Sequence, residues 1–186
     1  MKHLRSQTGL TLAELVVVLS VVSILAVFAV PAGLDWWRRE TVVILADRFV
    51  SAISLAQTMS RNRRVWVQVG PRDANHDWSS GWAVYVTATP QTQATPIGPS
   101  EHDILMTVSP PTTPSVKITF RGTRLGVNTL SYSPVGYSRY NNTAFYGTLT
   151  IASGVHVRHV KINAAGRARI CDPAKDPTCT AASTDP

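Results

Sequence analysis

The chain of 186 residues has only two cysteines, Cys171 and Cys179. A metal site at that pair would need more ligands, and none lies nearby. His156 and His159 are three apart, so on a strand they face opposite ways and make poor zinc partners. Asp73-Ala-Asn75-His-Asp77 imitates the start of a calcium loop, but Trp78 replaces the required glycine and Val84 the distal glutamate, so a polar turn is the better account. Also missing are a Gly-x-Ser-x-Gly elbow, a P-loop and a His-Glu-x-x-His helix. Nothing supports an enzyme, and no catalytic residue, metal or cofactor is expected. Acid is scarce as well: 11 Asp and Glu stand against 18 Lys and Arg, for a net charge of +7, and no acid at all falls between Asp103 and Asp172. The third scarcity is charge of either sign near the start, where Glu14 alone interrupts the apolar run from Leu10 to Leu34.

That run, as a helix rising ~1.5 Å per residue, extends about 37 Å and can cross a hydrocarbon core of ~30 Å once. A secretory signal peptide has a shorter apolar core and no internal glutamate. A plain signal anchor would explain the length and the inner charges Lys2 and Arg5, but not Glu14. A carboxylate in hydrocarbon costs ~2 to 3 kcal/mol or more and marks a function.

The basic leader, Gly9, Leu10, Thr11, Leu12, Glu14 and the apolar helix together resemble the class III signal of type IV pilins and type II secretion pseudopilins. The resemblance implies that a prepilin peptidase cuts between Gly9 and Leu10 and methylates the new amino terminus. Leu10 stands where phenylalanine is usual. It also implies that Glu14 pairs with the terminal amine of a neighbouring pilin or pseudopilin during assembly, and Pro31 fits the kinked helices of that group. The expected location is the bacterial inner membrane, crossed once, with the carboxyl-terminal domain in the periplasm and incorporation into a pilus or pseudopilus that can reach the cell surface.

After the span, Asp35, Trp36, Trp37, Arg38 and Arg39 suit a membrane interface. Val42, Val43, Leu45, Ala46, Phe49, Val50, Ile53 and Ala56 recur at three- and four-residue spacing, predicting an amphipathic helix to about Ser60, with Arg61, Arg63 and Arg64 complementing its dipole. From Val65 the period becomes two. Strands are expected at 65–69, 82–86, 104–108, 116–120, 145–151, 155–162 and 167–171, separated by Gly, Pro, Ser and Asn. Residues 87–100 read as a surface loop, Asn141-Asn142-Thr143 as a turn, and 180–186 as a frayed tail. The fold class is thus α+β, a long amino-terminal helix followed by an antiparallel β-sheet domain. The expected division is leader 1–9, transmembrane and assembly half of the helix 10–34, amphipathic half 35–62, β-domain 63–171, and carboxyl-terminal loop and tail 172–186. Outside the cytoplasm, Cys171 and Cys179 are expected to close a small disulfide loop.

Removing Lys2 and Arg5 with the leader leaves 16 basic residues against 11 acids. The acid-free window holds Lys117, Arg121, Arg124, Arg139, Arg158, Lys161, Arg167 and Arg169. Such surface attracts polyanions. Arg167 and Arg169 share one strand face while Ala168 and Ile170 pack inward, and Lys117 with Arg121 lies opposite Val116, Ile118 and Phe120. Arginines ~7 Å apart roughly match adjacent phosphates and can fork onto their oxygens. The competing account is that they are edge charges that discourage aggregation.

The helix followed by strands, Gly81-Trp82, the turn Ser133-Pro134-Val135-Gly136 and the closing Gly166-Arg167-Ala168-Arg169 resemble the FimT/GspH family of minor pilins and pseudopilins. In its FimT branch, tied to natural transformation, a Gly-Arg-x-Arg motif contributes to DNA binding. The resemblance implies a minor type IV pilin that binds DNA phosphates without sequence preference through Arg167 and Arg169 after Gly166, helping DNA uptake or priming pilus assembly. Lys161 and Arg158 join that site on nearness in sequence alone. The alternative is a minor pseudopilin of type II secretion with a structural tip role and no nucleic-acid partner.

Overall fold

The computed structural model describes residues 12–73, 75–88, 103–112 and 114–180. The leader, the processing site at Gly9 and Leu10, most of the 87–100 loop and residues 181–186 lie outside the described residues. The chain divides into two compact units after Trp37. Helix α1, Leu12–Arg63, contributes to both.

In the first unit α1 is apolar and exposed, with Glu14 in its first turn and Pro31 inside it. It is long and apolar enough to cross a membrane. Ser20 and Ser23 donate their hydroxyls to the carbonyls of Val16 and Leu19, so neither is left unbonded on the apolar helix surface.

In the second unit the pattern of α1 changes. Val42, Leu45, Ala46, Phe49, Ala52, Ile53 and Ala56 form one buried stripe. Arg64, with φ of +54°, ends the helix in the left-handed region. Strand β1, Trp66–Pro71, follows, with β2 at Trp82–Thr87, β3 at Asp103–Val108, β4 at Lys117–Gly122 and the short β5 at Leu130–Tyr132. Next come β6 at Arg139–Tyr140, β7 at Thr143–Ala144, β8 at Gly147–Ser153, β9 at His156–Ile162 and β10 at Ala168–Cys171. One sheet has the order β3-β2-β1-β5 and the other β10-β9-β8-β4; β6 and β7 form a separate hairpin. All these pairings are antiparallel.

The helix stripe and the inner sheet faces make one core. Phe49 meets Trp78 and Trp82 edge-on, with ring centroids 5.8 and 5.4 Å apart. Trp78 belongs to a 3-10 turn, Trp78–Ser80, whose start Asp77 caps by accepting from the Ser79 amide. The Asp73 carboxylate accepts from the Asp77 amide, so this acidic segment spends its carboxylates on its own backbone, as a polar turn does.

Two expected features need correction. Ile170 stands opposite Val160, on the core-facing side of the sheet, but on this edge strand it is left 36% exposed. Its partner on β10, Ala168, does pack against the core. Strands β5, β6 and β7 have no counterpart in the expected set. Asn141 and Asn142 both have positive φ, 45° and 63°, and form the two-residue turn between β6 and β7.

Candidate nucleic-acid interface

The Gly-Arg-x-Arg segment closes the β9–β10 hairpin. The Gly166 amide donates to the Asn163 carbonyl at 2.9 Å, and the Asn163 amide to the Arg167 carbonyl at 3.0 Å. This is a three-residue loop, Ala164-Ala165-Gly166, whose last position must be left-handed; Gly166 has φ of +79°. A second requirement also selects glycine: a Cβ there would lie 2.5 Å from the Tyr132 ring and 3.1 Å from the Gln57 amide. Tyr132 is fully buried, and its hydroxyl donates to the Gly166 carbonyl at 3.0 Å. Burial pushes that hydroxyl's pKa far up, so it remains a donor at any physiological pH.

Gln57 of α1 then locks the turn from beneath. Its amide nitrogen donates to the Ala165 carbonyl at 3.0 Å and to the Gly136 carbonyl at 2.9 Å. Gly136 ends a loop of the same construction, Ser133 to Tyr137, in which the Gly136 amide donates to the Ser133 carbonyl at 2.7 Å and the Ser133 amide to the Tyr137 carbonyl at 3.0 Å. Its φ is +83°, and the Arg61 side chain covers it where a Cβ would project.

The turn delivers Arg167 and Arg169 to the surface, both exposed. Register extends the basic row: Arg169 pairs with Lys161, Lys161 with Thr148, and Thr148 with Arg121. Directly opposed residues share a face, so Arg169, Lys161 and Arg121 stand on the outer face of one sheet, and Lys117 joins them two places from Thr119 and four from Arg121. Lys117 and Arg121 are exposed. The expected face therefore exists at β4 and β10, but its middle differs. Lys161 is only 6% exposed and Thr148 only 2%, so Lys161 is not a surface cation.

Arg158 is further from the expected role. Its odd spacing from Lys161 puts it on the other face, opposite Ile151, and its guanidinium pairs with Asp172 at 2.8 Å. It is a structural ion pair. The disulfide loop supplies a second acid. Cys171 and Cys179 are bonded, and within their loop Asp176 is held below the usual carboxylate range by the Thr178 hydroxyl and amide, then by the positive charge of Arg169 and Lys161. Two acids just past the acid-free window thus fold back onto its cations.

His159 accompanies Lys161 on this face, 5% exposed, with Nδ1 2.9 Å from the Thr150 hydroxyl. Burial, and then Lys161, lowers its pKa below the ordinary 6.5, so the ring adds no charge near neutrality. Among the described residues, no group of three or more His, Cys, Asp or Glu is placed to hold a metal.

The family model described as type II transport protein GspH matches residues 45–166. The chain belongs to the GspH family. The matched segment runs from the buried helix stripe through both sheets and ends at Gly166, so Arg167 and Arg169 follow immediately after it. The fold is also similar to crystal structures of the Pseudomonas aeruginosa (strain PAO1) type IV minor pilin FimU. In space group P21 the TM-score is 0.55 at 15% identity, covering 76% of this chain and 96% of that one. In space group P65 the TM-score is 0.49 at 17% identity, covering 72% and 95%. Comparison with curated protein sequences finds no match. As a GspH-family member the chain is a pilin-like subunit: one apolar helix, then antiparallel sheets.

Proposed function

We propose that this GspH-family subunit is a minor type IV pilin that binds DNA non-specifically through its phosphates. After peptidase cleavage between Gly9 and Leu10, Glu14 pairs with a neighbouring subunit's terminal amine. A cationic partner would stabilise a carboxylate at the head of an apolar helix. The observation that carries the DNA reading is the Gly166 turn. Its conformation, its buried Tyr132 support and its Gln57 anchor hold Arg167 and Arg169 at the exposed end of a sheet face that carries Arg121 and Lys117 at its far edge. Strands lie ~4.8 Å apart, so β10 and β4 are about 14 Å apart. That is close to the ~12 Å width of the DNA major groove, so the two ends can reach phosphates on opposite rims.

The test is titration of the full chain in detergent with mixed-sequence duplex DNA at several salt concentrations. Four engaged phosphates predict affinities of roughly 10⁻⁴ to 10⁻⁶ M and a log-log salt slope of about −3 to −4. Arg167→Ala/Arg169→Ala flattens the slope by up to ~2 units. Absence of binding at low salt would sink the DNA role. The second reading, a structural type II secretion pseudopilin, then takes its place; the description of the matching family favours it.

A further inference from the structure

The loop from Ser133 to Tyr137 and the β6–β7 hairpin carry aromatic rings that phosphate contacts do not use. The Arg139 guanidinium stands over the Tyr137 ring, 5.7 Å from its centroid, and Arg124 stands over Tyr140 at 5.3 Å. The hairpin fixes Arg139, which donates to the Asn142 carbonyl at 2.7 Å. Tyr140 is backed by Phe145, with centroids 6.4 Å apart, while Tyr137 is 45% exposed. This cluster borders the motif turn. Gly136 and Ala165 share the Gln57 donor, and a Cβ at Gly166 would lie 3.2 Å from the Gly136 carbonyl. Tyr137 and Arg167 occupy the same place in two matching loops, each the residue after the left-handed glycine and each closing its loop through its carbonyl.

We propose that the seam between these twin turns is a site for single-stranded DNA, with an unstacked base on the Tyr137 ring and neighbouring phosphates on Arg139 and Arg167. The inference rests on the reading that Arg167 and Arg169 hold DNA phosphates, and it names the form of DNA this end of the face prefers. A base in a duplex has both faces covered by its neighbours, so an exposed ring beside a cation gains nothing from it. A single strand offers its bases to the ring, and stacking is tolerant of sequence. The guanidinium already placed over Tyr137 adds a charged partner to the same platform.

Fluorescence anisotropy with the full chain in detergent decides it, using a labelled oligothymidine of about 16 nucleotides, a duplex of equal phosphate count, and an abasic strand of the same length. The expected result is tighter binding of oligothymidine than of either comparator. Tyr137→Ala lowers oligothymidine affinity by about 5- to 100-fold, the usual worth of a stacked base, and leaves duplex affinity within about twofold. Tyr137→Phe retains the preference. Equal binding of abasic and thymidine strands by the unaltered chain overturns the proposal without recourse to any variant, as does equal weakening of single strand and duplex by Tyr137→Ala. In those cases duplex binding sensitive to Arg167→Ala/Arg169→Ala leaves the phosphate reading standing. Failure of the unaltered chain to bind any of the three overturns both.

Discussion

Gly126 and Gly166 both have φ of +79°, yet a Cβ at Gly126 would meet nothing within 4 Å while one at Gly166 would lie 2.5 Å from the Tyr132 ring. The pair separates backbone strain from crowding within one protein. Alanine in the left-handed region costs about 1 kcal/mol after allowing for the stiffer unfolded chain, and this is all Gly126→Ala should cost. At Gly166 the same strain is joined by overpacking against a fully buried ring held by its own hydroxyl, which adds roughly 1 to 3 kcal/mol. With roughly 2–4 °C per kcal/mol for a unit of this size, the midpoint falls by about 2–4 °C for Gly126→Ala and about 5–15 °C for Gly166→Ala. Thermal unfolding of the two variants, followed by near-ultraviolet circular dichroism in detergent, measures both. Equal shifts would refute the claim that Tyr132 enforces the glycine, and with it the account of why the motif turn is rigid.

Arg158→Ala should leave DNA affinity within about twofold, because its guanidinium faces Asp172, while lowering stability by about 1 kcal/mol; DNA titration and urea unfolding of the same preparation check both halves. Asp176→Asn removes the acid that competes for Arg169, so duplex affinity should rise about two- to fivefold at low salt, and an unchanged affinity would show that the carboxylate does not compete with phosphate. His159 gives stability a pH dependence of known sign. The folded chain holds it neutral, the unfolded chain protonates it as pH drops through about 6.5, and stability should therefore decline below that value; urea midpoints measured across that range should fall, and should fall less in His159→Gln.

Where a residue's role follows from period, it was legible in the sequence. The three- and four-residue spacing from Val42 to Ala56 marks the buried stripe, and alternation marks the longer strands to within a few residues. Strand β5 was invisible because three residues, Leu130-Ser131-Tyr132, are too short a run for alternation to stand out from the loops around it. Two errors at the site have different origins. Parity alone separates Arg158 from Lys161, as it separates His156 from His159, so that misplacement was avoidable. The burial of Lys161 and the return of Asp172 and Asp176 were not readable, because they depend on where a closed loop lands, which is a non-local fact. Gln57 was missed for a related reason: its spacing marks it only as a polar helix residue, and its partners lie 79 and 108 positions away.

One amide nitrogen therefore couples both twin turns to the helix. Any small rotation of α1 about its axis at that level would carry Tyr137 and Arg167 together, as two fingers of one hand, and would preserve their separation. A strand bound as proposed above would then take its heading from the helix. Gln57→Glu, which sets a carboxylate against two carbonyls, would let the fingers part while the sheets stayed intact.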